Sequence, residues 1–176
     1  MRNWVDTEVT YPTAGEKGIT IQSSLPKGGG TLLGPAGKTY SKVVFWFRVA
    51  NQSGKPAAVS LNFPAQPLSI FPSRESHIRV MLHPDTMSAE KIQLLDYGLT
   101  NLESFVAANF DKPARLTKTV PANEDFYFYV PILFYQARGT TRVALVLKDQ
   151  ELFLRINIDP DIKALMVPCG NLVLRN

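Results

Sequence analysis

Apolar and polar residues alternate with a period of two along several stretches of the chain, which is the pattern of half-buried β-strands. The clearest stretch is 42–50, in which every second side chain belongs to one apolar face: Val43, Phe45, Phe47 and Val49. The alternation resumes in 57–63, after the turn-forming residues 51–56. The pattern predicts a β-hairpin over 42–64 with one buried face and one half-polar face.

A second hairpin is predicted over 141–159, where two alternating apolar runs flank the polar turn at 148–151. Residues 124–135 are predicted to form a long strand. Because Pro131 has no N–H to give to a sheet, it predicts an edge position or a bulge in that strand. Weaker patterns indicate three more strands, at 18–25, 76–82 and 164–174.

The region 85–112 has helical spacing of its apolar residues instead, which predicts an insertion of two short helices. Ser88 is the expected N-cap of the first helix, and Gly98 stands where that helix should stop. Thr100 and Glu103 have the spacing of a capping box for the second helix. Such apolar helix faces need a partner, and the outer face or one end of a sheet is the expected one.

The length of 176 residues and the hydrophobic content of 45% predict a single domain over 1–176 with a well-packed core. The chain has no apolar run long enough to span a membrane. Seven basic and no acidic residues occupy 17–74. These basic residues are scattered singly through turns and strands, so we expect no nucleic-acid partner.

The glycine-rich stretches at 27–30 and 34–42 invite comparison with a phosphate-binding loop. Gly37, Lys38 and Thr39 match the last three positions of that motif, but Leu32 stands where its first glycine belongs. A strand-like run follows in place of the helix that such a loop opens. The glycines therefore predict turns, and no nucleotide or other cofactor is expected.

Candidate catalytic groups are few and separated. His77 and His83 are too few for a typical zinc site, and Cys169 lies in a segment where a small buried thiol fits well. The acidic pairs at 124–125 and 159–161 flank strands as turn residues do. The sequence therefore favours a protein that is not an enzyme.

Aromatic residues supply the best candidate site. Trp46 and Arg48 alternate away from the apolar face of their strand, and Tyr127 and Tyr129 do the same in theirs. If these four residues share an exposed face, they form a stacking platform for sugar rings. The favoured alternative is that the helical insertion covers them, because its apolar residues need a partner.

The stretches VVFWFRVANQSGKPAAVSLNFP (43–64) and KTVPANEDFYFYVPILFY (118–135) resemble hairpins and strand entries of immunoglobulin-like β-sandwiches in exported bacterial proteins. The chain is also similar to uncharacterised exported proteins of the Bacteroidetes type. This resemblance implies an all-β, immunoglobulin-like antiparallel β-sandwich, from whose pattern 85–112 departs as an insertion. The strand patterns themselves predict seven to nine strands. The resemblance also implies a periplasmic or cell-surface location, with a leader upstream of Met1, and it names no activity.

The leading functional hypothesis is a non-catalytic exported module that binds a protein or glycan partner or has a structural role. One alternative is a carbohydrate-active hydrolase whose carboxylates are brought together by folding. A pocket lined by two or more converging ionisable side chains would favour that enzyme. The other alternative is an oligomerising surface protein, with an edge strand near Pro131 or an exposed aromatic patch as its contact.

Overall fold

The computed structural model describes residues 3–14, 16–70, 75–137, 141–158 and 163–176. Within these residues the fold is mostly β, as the sequence predicts, with one α-helix, α1 (Leu102–Asn109). The strands are β1 (Val5–Thr13), β2 (Glu16–Ser24), β3 (Lys27–Leu33), β4 (Thr39–Asn51), β5 (Ala57–Phe63), β6 (Leu68–Ser69), β7 (His77–Val80), β8 (Ala114–Val120), β9 (Asp125–Tyr135), β10 (Arg142–Lys148), β11 (Glu151–Asn157) and β12 (Leu165–Leu174).

The strands form two antiparallel sheets. The first, sheet A, has the order β1-β2-β4-β9-β7-β6, and β3 pairs with the first half of β4 beside β2. The second, sheet B, has the order β10-β11-β12-β5-β8. Among the described residues no helix is long and apolar enough to cross a membrane.

One hydrophobic core joins the two sheets. The inner face of β4 contributes the predicted residues Phe45, Phe47 and Val49, each no more than 1% exposed. Facing them from sheet B are apolar residues of β5, β10 and β11, such as Val59, Leu145 and Leu154. The alternation seen in the sequence therefore marks the inner faces of two sheets that pack on each other.

The prediction of a hairpin is confirmed for β10 and β11, which pair from Arg142↔Asn157 to Lys148↔Glu151 around a two-residue turn. The prediction of a hairpin over 42–64 is wrong, although both of its strands exist. β4 lies in sheet A and β5 in sheet B, where β5 pairs with β12 and β8. Residues 52–56 therefore carry the chain from one sheet to the other.

The side chain of Asn51, which is fully buried, holds this crossing. Its Nδ2 donates to the carbonyls of Lys55 and Val120, at 2.7 and 2.9 Å. Its Oδ1 accepts from the N–H and the hydroxyl of Ser53. A buried amide with donors and acceptors both satisfied fixes the path of a turn that backbone pairing alone leaves open.

The prediction of an edge or a bulge at Pro131 is also wrong. β9 lies between β4 and β7, and its register with β4 is regular through Val44↔Pro131. The Pro131 carbonyl accepts from the N–H of Met81, just beyond the end of β7. The N and O atoms of one strand residue point to the same side of the strand. The position of the missing N–H of Pro131 therefore faces Met81, where the pairing of β7 with β9 has already ended, so no ladder hydrogen bond is lost.

The insertion contains one α-helix, α1, rather than two. In place of the first predicted helix the chain forms two 3₁₀ turns, Ala89–Lys91 and Leu95–Gly98. The second turn is left-handed at Asp96 and Tyr97, with φ of 49° and 56°. An α-helix cannot pass through such residues, and their conformation is held by tertiary contacts that the local sequence pattern does not reveal.

The predicted caps are not formed as expected. Ser88 precedes the first 3₁₀ turn, but its side chain makes no capping bond there. The N-cap of α1 is Asn101, in the left-handed region and again without a side-chain cap bond, so Thr100 and Glu103 do not form a capping box. Propensity signals at helix ends were overridden here by packing.

Arg79 anchors the far end of the insertion. This side chain is 1% exposed and has no carboxylate partner among the described residues. Its guanidinium donates instead to the carbonyls of Val80, Phe110 and Lys112, the last two just beyond α1. A cation placed on the free carbonyls at the end of a helix is favoured by both hydrogen bonding and the helix dipole.

The outer edge of β10 is covered by sheet A. The N–H of Leu145 donates to Ser23 Oγ, and that of Leu147 donates to the Tyr11 hydroxyl oxygen, both at 3.1 Å. These bonds satisfy donors that an edge strand otherwise offers to another chain. The two sheets are thus closed against each other along this side.

Candidate functional site

The insertion covers part of the outer face of sheet A. Trp46 and Tyr129 lie beneath it, at 0% and 1% exposure, in a second apolar cluster with residues of the insertion such as Met87, Leu99 and Val106. These two members of the predicted aromatic platform therefore offer no ring face to solvent. For Trp46 and Tyr129 the structure therefore agrees with the alternative favoured in the sequence analysis, that the insertion covers the aromatic face.

Tyr97, in the left-handed turn, is the main link between the insertion and the sheet. Its hydroxyl donates to the carbonyl of Leu25 at 2.5 Å, and its carbonyl accepts from the hydroxyl of Tyr129 at 2.6 Å. The Lys27 ammonium lies 4.5 Å from the centre of the Tyr97 ring and donates to the carbonyls of Ile92 and Leu94. These contacts hold the turn in its strained conformation.

Arg48 and Tyr127 lie on the same face, beyond the cover of the insertion, and both are partly exposed. Arg48 Nε is 2.8 Å from Asp125 Oδ2, and its guanidinium carbon is 5.6 Å from the centre of the Tyr127 ring. Arg48 also contacts Gln22 at 3.4 Å. The structure therefore brings together two of the four predicted residues at the surface and adds Asp125 to them.

A cleft of about 500 Å³ opens beside Tyr127, between the start of β9, the segment 82–90 and Leu116 of β8. This volume lies within the usual range of ligand sites. Its walls carry apolar and aromatic side chains together with these polar ones: His83, Asp85, Thr86, Ser88, Glu90, Asp125 and Tyr127. A shallower recess shares Asp125 with the cleft and extends to Arg48, Asn123 and Glu124.

His83 lies in the wall of the cleft as a neutral side chain. Burial lowers the pKa of its imidazole, and the carboxylate of Asp85 opposes that shift only in part. Its Nδ1 accepts from the backbone N–H of Asp85 at 3.1 Å, which leaves the proton on Nε2. The ring packs on Phe105, with the ring centres 4.3 Å apart. His83 thus joins the segment 82–90 to α1.

The carboxylate of Glu90 is held in its ionised form. A hydrogen bond with Ser88 is the largest influence on Glu90 and lowers its pKa. Asp125 is paired with Arg48. Burial raises the pKa of the neighbouring Tyr127, so its hydroxyl stays protonated. This cleft carries negative charge on its outer rim at neutral pH.

The remaining candidates are placed apart from this site. Cys169 is 2% exposed, its thiol donates to the carbonyl of Leu152, and burial raises its pKa to about 12. A thiol of that pKa is not a nucleophile near neutral pH. Pro35–Gly37 form a 3₁₀ turn before β4. The acidic pair at 159–161 lies outside the described residues, and within those residues no three His, Cys, Asp or Glu side chains are grouped to hold a metal ion.

The cleft itself was not foreseen from the sequence. Asp85 and Glu90 come from the insertion and Asp125 from β9, about 40 positions further along the chain. They meet because the chain pairs with β9 as far as the His83↔Tyr129 bridge and then turns away at Pro84. The one local signal was Pro84 itself, which ends a strand as readily as it precedes a helix.

Comparison of the chain with protein-family models, with curated proteins and with solved structures finds no match.

Proposed function

We propose that the protein is a non-catalytic exported binding module with an immunoglobulin-like β-sandwich, and that its cleft beside Tyr127 receives a protein or glycan partner. The single observation that carries the proposal is the composition of this cleft: a partly exposed aromatic ring, an arginine–carboxylate pair and the carboxylates of Asp85 and Glu90 around an apolar floor. Apolar walls with a few convergent polar groups are the usual make-up of a ligand site.

The sandwich part of the proposal is supported by two antiparallel sheets that share one core. Its chain crosses between the sheets at 52–56, as strands do in such sandwiches. The resemblance of 43–64 and 118–135 to exported domains supports the proposed location. The binding role is supported by the inert state of Cys169 and by the pairing of Asp125 with Arg48.

A carbohydrate-active hydrolase is the second candidate, because Asp85, Glu90 and Asp125 line one cleft. Glycoside hydrolysis needs one carboxyl group with a raised pKa as the general acid. The pKa of Glu90 is lowered, which is the opposite of that requirement, and Asp125 forms an ion pair with Arg48. These observations make binding the better supported function.

The test screens the protein against a glycan array and a panel of peptides. Each ligand found is then titrated against the unaltered protein and against the variants Tyr127→Ala and Arg48→Ala. The proposal expects hits whose affinity falls at least tenfold in these variants. The matched control is Tyr135→Ala, a partly buried tyrosine of the same strand outside the cleft. Turnover of a polysaccharide that is abolished by Glu90→Gln or Asp125→Asn would overturn the proposal in favour of the hydrolase.

A further inference from the structure

The edge of β9 beside the cleft carries unused backbone hydrogen-bonding groups. β9 is paired with β4 along its whole length, but on its other side the pairing with β7 covers only 132–135. Two further contacts extend it, from Met81 to Pro131 and from His83 to Tyr129. The chain then leaves at Pro84, and within the described residues no strand lies on this side of Asp125 to Tyr127.

The direction of these groups follows from the alternation of an antiparallel ladder. Asn51 N–H donates to the carbonyl of Glu124, so the even-numbered residues of β9 face β4. On β4, the N–H of Trp46 points away from β9, to Ser24 Oγ. The N–H and C=O of Tyr127 therefore point away from β4, into the space that the chain leaves at Pro84.

No described group takes a hydrogen bond from the backbone of Tyr127 or gives one to it. The same alternation turns the N–H and C=O of Asp125 to this side. Two donors and two acceptors thus stand in a row along the cleft. An unpaired strand edge of this kind is the surface on which an extended peptide adds a strand.

The side chains of the cleft define which peptide fits. On the inner side the floor is apolar, with Phe126, Phe128 and Leu116. Two carboxylates also line the cleft: Glu90, which lies near Tyr127, and Asp85, which lies near Tyr129. Neither lysine nor arginine is among the described residues that line the cleft. Of the nearby cations, Arg48 is held by Asp125, Lys91 donates back to the Thr86 carbonyl, and Lys118 lies 5.2 Å from the centre of the Phe126 ring.

We infer that the cleft accepts an extended peptide segment that adds to the edge of β9 at Asp125–Tyr127 and that alternates apolar and basic side chains. Successive residues of a strand point to opposite sides. The apolar side chains face Phe126 and Leu116, and the Lys or Arg side chains face Asp85 and Glu90. This inference deepens the proposed function and rests on it, because it names the partner class of the same cleft.

The first experiment titrates the protein with the acetylated, amidated peptide Lys-Val-Lys-Val-Lys, followed by amide chemical shifts in NMR spectra. The expected result is saturable shifts centred on Asp125, Phe126 and Tyr127. Two control peptides match it: one with Glu in place of Lys, and one N-methylated at every residue, so that neither of its edges has an N–H to donate to β9. Each control is expected to bind at least tenfold more weakly.

The second experiment separates the backbone from the side chain at one position. Tyr127→Val removes the ring and keeps the N–H, whereas Tyr127→Pro removes the N–H that faces the cleft and leaves the bonds to β4 intact. β9 already contains Pro131, whose N atom points to the same side of the strand as that of Tyr127. We expect Tyr127→Pro to bind the peptide at least tenfold more weakly than Tyr127→Val does. Glu90→Gln should weaken binding about threefold at low salt and less at high salt.

The outcomes distinguish failure of strand addition from failure of the proposed binding function. Equal binding of the N-methylated peptide, or equal loss in the valine and proline variants, would overturn strand addition. If the peptide does not bind but a glycan shifts the same amides, the inference fails and the proposed function stands. If neither class of ligand shifts these amides, both fail. Should Tyr127→Pro not fold, as judged by circular dichroism, the N-methylated peptide alone carries the decision.

Discussion

The hydroxyl of Tyr129, in the middle of β9, donates to the carbonyl of Tyr97, which has a left-handed backbone in the insertion, at 2.6 Å. Both residues are buried, so neither group has water as an alternative partner. This bond therefore ties a strained turn to the most central part of sheet A. The strain is tolerated because the surrounding contacts determine it more strongly than local preference does.

Replacing Tyr129 by Phe should lower the free energy of unfolding by about 1–3 kcal/mol, because the Tyr97 carbonyl is then buried without a donor. Chemical denaturation followed by tryptophan fluorescence measures this, since Trp46 lies next to Tyr97. Tyr135→Phe is the control, because among the described residues its hydroxyl has a hydrogen bond only with the exposed Gln136. An equal effect of the two substitutions would contradict the account.

Arg79→Met should destabilise the protein by roughly 2 kcal/mol, since the carbonyls of Phe110 and Lys112 lose their charged donor. The loss should be concentrated in α1, and amide hydrogen exchange there should accelerate more than in β10. Arg115→Met, on the exposed strand β8, is the matched control and should change stability by less than about 0.5 kcal/mol. Uniform acceleration across both sheets would show that Arg79 does not act on the insertion.

Cys169 should resist alkylation by iodoacetamide at pH 8 in the folded protein and react fully in denaturant, because its pKa is about 12 when folded. The unfolded thiol ionises near pH 9, so the stabilisation is complete below that pH and is lost as pH rises from 9 to about 12. The loss amounts to about 1.4 kcal/mol per pH unit. Comparison with Cys169→Ala isolates this contribution, and identical pH profiles would contradict it.

His83 should make the protein less stable as pH falls from 7 to 5. Burial lowers its folded pKa, so the unfolded chain binds the proton more readily, and the stabilisation is present above the unfolded pKa and lost below it. His83→Asn keeps an acceptor for the Asp85 N–H but cannot titrate. Thermal melting across this range should show a smaller dependence on pH in the variant, and an unchanged dependence would refute the assignment.

The combined substitution of Ser23→Ala and Tyr11→Phe should release the N–H groups of Leu145 and Leu147 on the edge of β10. Light scattering at increasing protein concentration should then show more association than in the unaltered protein. Thr10→Ala provides the control, because it removes a hydroxyl pair on β1–β2 and leaves β10 covered. A double variant that associates no more than the unaltered protein would show that these bonds do not protect the edge.

The sequence predicted the strands well and their partners less well. Alternation along 42–50 and 57–63 correctly gave two half-buried strands, because burial of one face acts on each residue locally. Their assignment to a hairpin failed because the loop 52–56 is equally able to turn back within a sheet or to cross to the other one. The deciding contact, from Asn51 to Val120, joins residues 69 positions apart.

The sequence placed the four residues of the candidate aromatic face on one side of the sheet, but it did not give the exposure of each residue. Arg48 and Tyr127 lie together at the surface, whereas Trp46 and Tyr129 are buried although they share the same face. Periodicity assigns a side chain to a face, but it does not say how far an insertion reaches across that face. Asp85 and Glu90 gave no signal at all, because their role depends on where the chain departs from β9.

The buried amide of Asn51 has a consequence for how the protein unfolds. It joins the last residue of β4 to the crossing loop and, through the Val120 carbonyl, to the end of β8. The two sheets cannot separate while the Asn51 amide keeps its hydrogen bonds. Unfolding of one sheet therefore removes contacts that stabilise the other. The two layers should accordingly lose their structure together in a single cooperative step.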